Sequence, residues 1–370
     1  MTTALITGAT GFLGQEVVRC LLERDRNLQL LCLIRSRDGA SLEQRRQKLM
    51  RSLPAEAANR VHAIGGDIEC PRLGLDDHAY ASLLERVDRV VHVAATTRFD
   101  HSLPEARRIN VGGTMHALEL ARQLRKAGRL GRLDYVGTAY VAGDRTDLVL
   151  EQELDVGQGF RNTYEQSKFE AEKLCRAAQQ ELPVCILRPS IIVGDSRTGR
   201  TTSYKTLYWP MRLLIGFYGL WRPVLPRLVR LPVRPDCVLD VVPVDWVAEA
   251  VARLFEDPGA VGRCYHLAAG PDAATIECLV NLACDHFGVA RLRYLDPEGP
   301  ARYLGQAIRP VLEQVAPQLT HNILLMMAYT RRNPRFDVRN ARDAGLTPPP
   351  VQQYFTRLIN FAYSHDFGRL

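Results

Sequence analysis

The chain has 370 residues, of which 46% are hydrophobic and 24% charged, and it carries a formal net charge of +7. Such a length and apolar content exclude a disordered chain and a disulfide-stapled miniprotein; two domains, or one large α/β domain with a smaller lobe, fit best. The basic residues are spread in runs no longer than a pair, without an aromatic RNA-binding signature, so a solvated surface or an acidic partner is expected and nucleic acid is not.

The opening segment MTTALIT runs straight into an apolar stretch and then glycines, without the basic and long apolar regions of a secretory leader. The longest apolar run, Leu213 to Trp221, falls short of the roughly 20 residues that span a bilayer. A cytoplasmic protein is expected. The nine cysteines include no CxxC pair, and Cys20, Cys32 and Cys185 sit in apolar segments. Buried free thiols are expected, with neither disulfides nor a metal site.

In chain order, TALIT reads as a short strand, and FLGQEVVRCLLERD places Val17, Val18, Leu21 and Leu22 on one helical face. LQLLCLI is a continuous apolar run, as a strand buried on both faces should be. RVHAIGGD, DRVVHVAA, RLDYVGT and LPVCILRPS repeat the strand signal, with helical patterns around 40–52, 76–86, 104–126 and 163–181. After Pro189 the pattern loosens. VPVDWVAEAVARLFEDP is a further helix, CYHLAAG a late strand and TIECLVNLACDHFG a late helix, followed by an Arg-rich, irregular helical tail. Alternating strands and helices predict a doubly wound parallel-sheet Rossmann fold with a smaller, mostly helical C-terminal substrate lobe. The expected division is 1–194 for the Rossmann domain, 195–240 for a substrate-lobe insertion, 241–270 for a return to the Rossmann domain and 271–370 for the C-terminal lobe.

The stretch TGATGFLG, Thr7 to Gly14, lies between the first strand and the first helix. In that context Gly8 permits the tight turn, Gly11 lets a pyrophosphate approach the backbone, and Gly14 lets the helix pack close to the strand. The helix N-terminus then offers free N–H groups and partial positive charge to phosphates. A dinucleotide is the expected ligand. The second strand ends in LIRSRD, so Arg35 and Arg37 stand at its tip, with Asp38 past it. Two guanidinium groups suit a 2′-phosphate, which favours NADPH.

NTYEQSKFEAEKL holds Tyr164 and Lys168 four apart, hence on one helix face. An ammonium near a phenol favours the phenolate, so Lys168 is expected to draw Tyr164 toward neutrality as an acid or base for carbonyl chemistry. The chain has five lysines, which makes one at this spacing less expected by chance. Thr138 sits at the C-terminal end of the preceding strand, where sites of α/β folds gather. His92, inside an apolar strand, reads as a satisfied core histidine.

TGxxGxxG, the strand-end Thr138 and YxxxK together resemble the extended short-chain dehydrogenase/reductases. GDIECPRLGLDD, VVHVAATTRFDHSLPEARRINVGGT, VGTAYVAGD, LRPSIIVGDSRTG and DVVPVDWVAEA resemble the fatty acyl-CoA reductase (male-sterility) and thioester-reductase branch, from about residue 3 to 270. The resemblance implies a catalytic set of Thr138, Tyr164 and Lys168, with Thr138 where most relatives outside this branch carry Ser. It implies that Asn110 props the helix and proton relay. It also implies that Thr10, Phe12 and Leu13 join the three glycines around the cofactor, that Asp67 and Ile68 flank the adenine, and that Ala94 and Ala95 lie against the cofactor. Pro189, Ser190 and Ile191 would border the nicotinamide, and Lys168 would hold its ribose. The implied reaction is NADPH-dependent reduction of an acyl thioester, on CoA or an acyl carrier protein, to an aldehyde or on to the alcohol. No adenylation or carrier domain precedes the glycine turn, so a synthetase's terminal module is not expected.

The segment 204–232 is apolar and aromatic with interleaved arginines. An ordinary substrate-lobe helix, an acyl channel with a basic rim, and a peripheral membrane contact all fit it. Other carbonyl chemistry on the same scaffold also stays open: a hydroxy/keto lipid or steroid dehydrogenase, or a nucleotide-sugar epimerase. A redox-sensing binding protein fits poorly, because both Tyr164 and Lys168 are present.

Overall fold

Seven apolar segments form one sheet, in which β1 (Thr3–Thr7), β2 (Gln29–Ile34), β3 (Val61–Gly65), β4 (Arg89–His92), β5 (Arg132–Val136), β6 (Val184–Pro189) and β7 (Cys264–Leu267) lie in the order β7-β6-β5-β4-β1-β2-β3. Every neighbouring pair is parallel. This computed structural model describes residues 2–35, 41–204, 207, 208, 211, 212, 230–297 and 328–368. The order reverses between β1 and β4, which pair Thr7 with His92, and a crevice opens there beyond the strand ends.

The continuous apolar runs are explained by helices on both faces. Ala4 and Ile6 of β1 pack with Leu30 and Cys32 of β2 under α1 (Phe12–Arg24) and α6 (Val244–Glu256). Leu5, Leu31 and Leu33, on alternate positions, face α3 (Asp77–Arg86), α4 (Gly113–Lys126) and α5 (Thr163–Ala178). Strand alternation thus feeds two separate cores. The helix α2 (Leu42–Arg51) starts in a capping box, with Ser41 and Gln44 bonding each other's backbone N–H.

A third apolar cluster joins the later segments. It unites Tyr208, Leu239, Tyr329 and Phe336 with α7 (Ile276–Phe287) and α8 (Phe355–Ser364). Short strand pairs stitch it to the sheet: Ile191–Val193 runs parallel to Val241–Pro243, and Val238–Leu239 runs antiparallel to Ala274–Thr275. Among the described residues no helix is long and apolar enough to cross a membrane. Most of 204–232, for which a channel or membrane contact was weighed, lies outside the described residues.

Candidate active site

The glycine turn is built by steric necessity. Gly8 has φ +75°, and a Cβ there would stand 2.7 Å from the backbone nitrogen of Ala94. A Cβ on Gly14 would stand 2.0 Å from the carbonyl oxygen of Gly8, so the first turn of α1 closes directly on the loop. Gly11 differs: a Cβ there meets only the Gly8 oxygen, at 3.2 Å, and nothing on its outer side. Gly11 caps α1 with no side-chain hydrogen bond, which leaves the helix N–H groups directed at the crevice.

A cavity of about 840 Å³ runs from this turn across the strand ends. Gly8, Thr10, Gly11, Phe12, Leu13 and Gly14 line its start. Arg35, Asp67 and Ile68 line one flank, and Ala94 and Ala95 its floor. Thr138, Tyr164, Lys168, Pro189, Ser190 and Ile191 surround the far half. Arg37 lies outside the described residues. Asn110 alone among the remaining expected site residues stands behind the wall rather than in it.

Each reactive side chain has a physical anchor. Thr138 is buried, at the end of β5, and its hydroxyl accepts from the N–H of Tyr140 at 3.2 Å. Lys168 is buried; its Nζ donates to the Val136 carbonyl at 2.9 Å and sits 4.5 Å from the Tyr135 ring centroid. Burial lowers the Lys168 amine to about 8. Burial pushes the Tyr164 phenol up to about 12, against the pull of its hydrogen bond with Thr138. The direction is opposite to the expectation that Lys168 brings Tyr164 toward neutrality: desolvation dominates, the Glu165 carboxylate adds to it, and the Thr138 hydrogen bond opposes it. Tyr164 therefore stays protonated across the ordinary pH range.

Asn110 occupies a π turn, Arg108–Gly112, between the short helix Leu103–Arg107 and α4. Its Oδ1 accepts from the N–H of Thr96 at 2.9 Å, and its Nδ2 donates to Ser167 Oγ at 2.9 Å. Its carbonyl accepts both from the N–H of Gly113 and from Thr114 Oγ1, the latter at 2.7 Å. His92 is a core residue, bonded to Thr7 at 2.8 Å and Thr114 at 3.3 Å, and burial lowers it to about 3.

Sequence reading missed several residues. Glu69, buried, holds Arg35 at 2.8 Å and Arg108 at 2.8 Å on the Asp67 flank. Asp240, buried, accepts from Ser190 Oγ at 2.6 Å and from the N–H groups of Ala269 and Gly270. Phe99, Tyr140 and Tyr329 give the far half an aromatic wall. Glu69 directly follows the Asp67–Ile68 pair, which was a usable signal; the aromatic wall depends on chain crossings that no local pattern encodes.

A glycine turn at the switch point and a Thr–Tyr–Lys group at the strand ends define a nicotinamide-dependent oxidoreductase on an extended short-chain dehydrogenase/reductase fold. The chain belongs to the male sterility protein family, which matches residues 6–251. It is 29% identical over 279 residues to nonribosomal peptide synthetase asaC of Aspergillus flavus, covering 71% of this chain and 26% of that protein. It is 28% identical over 280 residues to fatty acyl-CoA reductase wat of Drosophila melanogaster, covering 66% of this chain and 52% of that protein. The chain thus spans about half or less of these curated relatives. The crystal structure of the terminal R domain from the myxalamid PKS-NRPS biosynthetic pathway matches with a TM-score of 0.81 at 29% identity, over 99% of this chain and 92% of that one.

Proposed function

We propose that the protein is an NADPH-dependent reductase that converts an acyl thioester to an aldehyde. One observation carries this reading: a single cavity joins the glycine turn and Arg35 to Thr138, Tyr164 and Lys168 and then to an apolar aromatic wall. The names of its relatives, a fatty acyl-CoA reductase and an R domain of a PKS-NRPS pathway, support a thioester carried on CoA or on an acyl carrier protein. We assign 1–194 and 241–270 to cofactor binding, and 195–240 with 271–370 to the substrate lobe.

The residues fit a dinucleotide. The open side of Gly11 and the uncapped start of α1 suit a pyrophosphate, Asp67 and Ile68 the adenine, and Arg35 a 2′-phosphate. Pro189, Ser190 and Ile191 suit the nicotinamide, with Lys168 on its ribose. The bound cofactor supplies hydride.

Thr138 and Tyr164 then act on the substrate oxygen. Both hydroxyls donate to it as it gains negative charge, a stabilisation of about 2.7–4 kcal/mol per well-placed donor. Tyr164, protonated at neutral pH, gives up its proton, and Lys168 is the cation assigned to the phenolate left behind. The resulting hemithioacetal expels the thiol and leaves an aldehyde.

The test is NADPH consumption by the purified protein against acyl-CoAs of several lengths and an acyl carrier protein thioester, with the aldehyde trapped. Thioester-dependent consumption with trapped aldehyde is expected. Inert thioesters beside active ketones or free aldehydes would make it an ordinary carbonyl reductase.

A further inference from the structure

Glu165 follows Tyr164 directly, yet the reaction assigns it nothing. Its side chain is fully buried, where a carboxylate is expensive unless its oxygens are occupied. They are: Oε2 accepts from the N–H of Arg161 at 2.9 Å, and Oε1 accepts from the hydroxyl of Tyr329 at 2.6 Å. Tyr329 belongs to the C-terminal lobe, 164 positions away.

Tyr329 is held from every side. Its hydroxyl also accepts from Asn162 Nδ2 at 2.8 Å, and Asn162 caps the helix that carries Tyr164. The Arg161 guanidinium lies 5.1 Å from its ring centroid. Its carbonyl accepts from Asn333 Nδ2 at 2.7 Å. The ring lines the cavity in an aromatic row: Tyr164 to Phe99 at 5.7 Å, Phe99 to Tyr329 at 6.1 Å, Tyr329 to Tyr140 at 5.4 Å. A substituent that runs along this row from a carbonyl at the Tyr164 hydroxyl passes Phe99 and then Tyr329.

We propose that Tyr329 sets the width of the acyl pocket beside the reacting carbonyl, and that Glu165 is the positioning residue that fixes Tyr329 there. The substrate class that fits is an unbranched acyl chain, apolar near its carbonyl. A ring locked at its hydroxyl and its backbone cannot swing aside for a branch, so size discrimination is strong. One methylene in a rigid apolar pocket changes specificity by roughly 10–200-fold. The inference rests on the thioester-reductase reading for the name of the substrate, not for the shape of the pocket.

The test compares linear, α-methyl-branched and benzoyl pantetheine thioesters. It reads kcat/KM for each and, by calorimetry without cofactor, the Kd for each. Wild type should prefer the linear chain. Tyr329→Ala and Tyr329→Leu should each shrink that preference by at least about tenfold, while NADPH affinity stays unchanged. Tyr329→Phe keeps the ring but loses its tether and should fall between. Glu165→Gln, whose amide oxygen still accepts from the Tyr329 hydroxyl, should keep the preference; Glu165→Leu should behave as Tyr329→Phe. An unchanged preference in folded Tyr329→Ala and Tyr329→Leu overturns the proposal. If thioesters are inert but aldehydes react, the thioester reading falls, and the same ratio on linear and branched aldehydes decides Tyr329. If no carbonyl compound binds or reacts, both fall.

Discussion

Asn110 donates a 2.9 Å hydrogen bond from its side-chain amide to Ser167 Oγ, and both residues are buried. Ser167 precedes Lys168 on α5, and the other end of the Asn110 amide accepts from Thr96, whose loop lines the cavity. One side chain therefore spaces the strand-end loop from the helix that carries Tyr164 and Lys168. Replacing Asn110 with Ala leaves the Thr96 N–H and the Ser167 hydroxyl without these partners, at a cost of about 1–3 kcal/mol for a buried group. Asn110→Ala should lower the thermal midpoint and reduce kcat more than it changes NADPH affinity. A variant with a lowered midpoint and wild-type kcat would make Asn110 a structural residue alone.

Gly14 and Gly11 separate packing from binding. A methyl at Gly14 would overlap the Gly8 oxygen, so Gly14→Ala must displace either the loop or α1. It should destabilise by more than the roughly 1–3 kcal/mol typical of overpacking and lose cofactor binding with it. A methyl at Gly11 meets one protein atom, the Gly8 oxygen at 3.2 Å, a tight contact that a shift of a few tenths of an ångström relieves. Gly11→Ala should keep a thermal midpoint close to wild type while NADPH affinity drops. Melting curves and a binding titration decide this; equal affinity in Gly11→Ala and wild type would remove Gly11 from the cofactor contact.

Tyr164→Phe removes one hydroxyl from the cavity and leaves the ring against Phe99. General-acid catalysis contributes typically ~10²–10⁴-fold. Turnover should fall by that order, with NADPH affinity nearly intact. Retained turnover would show that another group delivers the proton.

The pH dependence follows from burial. Lys168 sits at about 8, below an ordinary lysine, so its charge is lost as pH rises through that value. Tyr164, at about 12, stays protonated throughout. Reduction should therefore decline on the alkaline side near pH 8, and that limb belongs to Lys168. Stability should move the opposite way. Between about 8 and the ordinary lysine value near 10.4 the unfolded chain holds a proton that the folded chain has released, so unfolding becomes harder as pH rises. Falling kcat with a steady or rising thermal midpoint would fit; a flat kcat/KM profile across that window would remove Lys168 from the rate.

The parts of the fold read most easily from the sequence are those where one physical demand fills a contiguous segment. β2 is apolar at every buried position, and β1 at every one but Thr7, because helices cover both faces, and the glycine turn shows itself through the absence of side chains. Four-residue spacing shows which face Tyr164 and Lys168 share, but not how deeply the chain buries them, and depth is what raises one and lowers the other. Tyr329 was hidden for a different reason. Its hydroxyl matters only because the C-terminal lobe folds back onto Glu165, and no local pattern records that meeting. Glu69 lies between these cases: its position after Ile68 is local, while its two arginine partners come from separate elements.

That ion pair refines the cofactor prediction. Arg35 is not merely solvated: Glu69 holds it against the cavity flank, and Arg108 shares the same carboxylate. Two guanidinium groups share one buried carboxylate beside Asp67 and Ile68, and their N–H donors suit a doubly charged phosphate where a bare ribose hydroxyl would gain little. Charge-assisted hydrogen bonds contribute about 1.5–3 kcal/mol each. Arg35→Ala should therefore weaken NADPH by roughly 10- to 100-fold and leave NADH nearly unchanged. Glu69→Gln should raise the local positive charge and loosen both arginines, which changes NADPH affinity while NADH again stays level. Fluorescence titrations with both cofactors measure these ratios. If Arg35→Ala weakens NADPH and NADH to the same degree, Arg35 supports the turn rather than reading the 2′-phosphate.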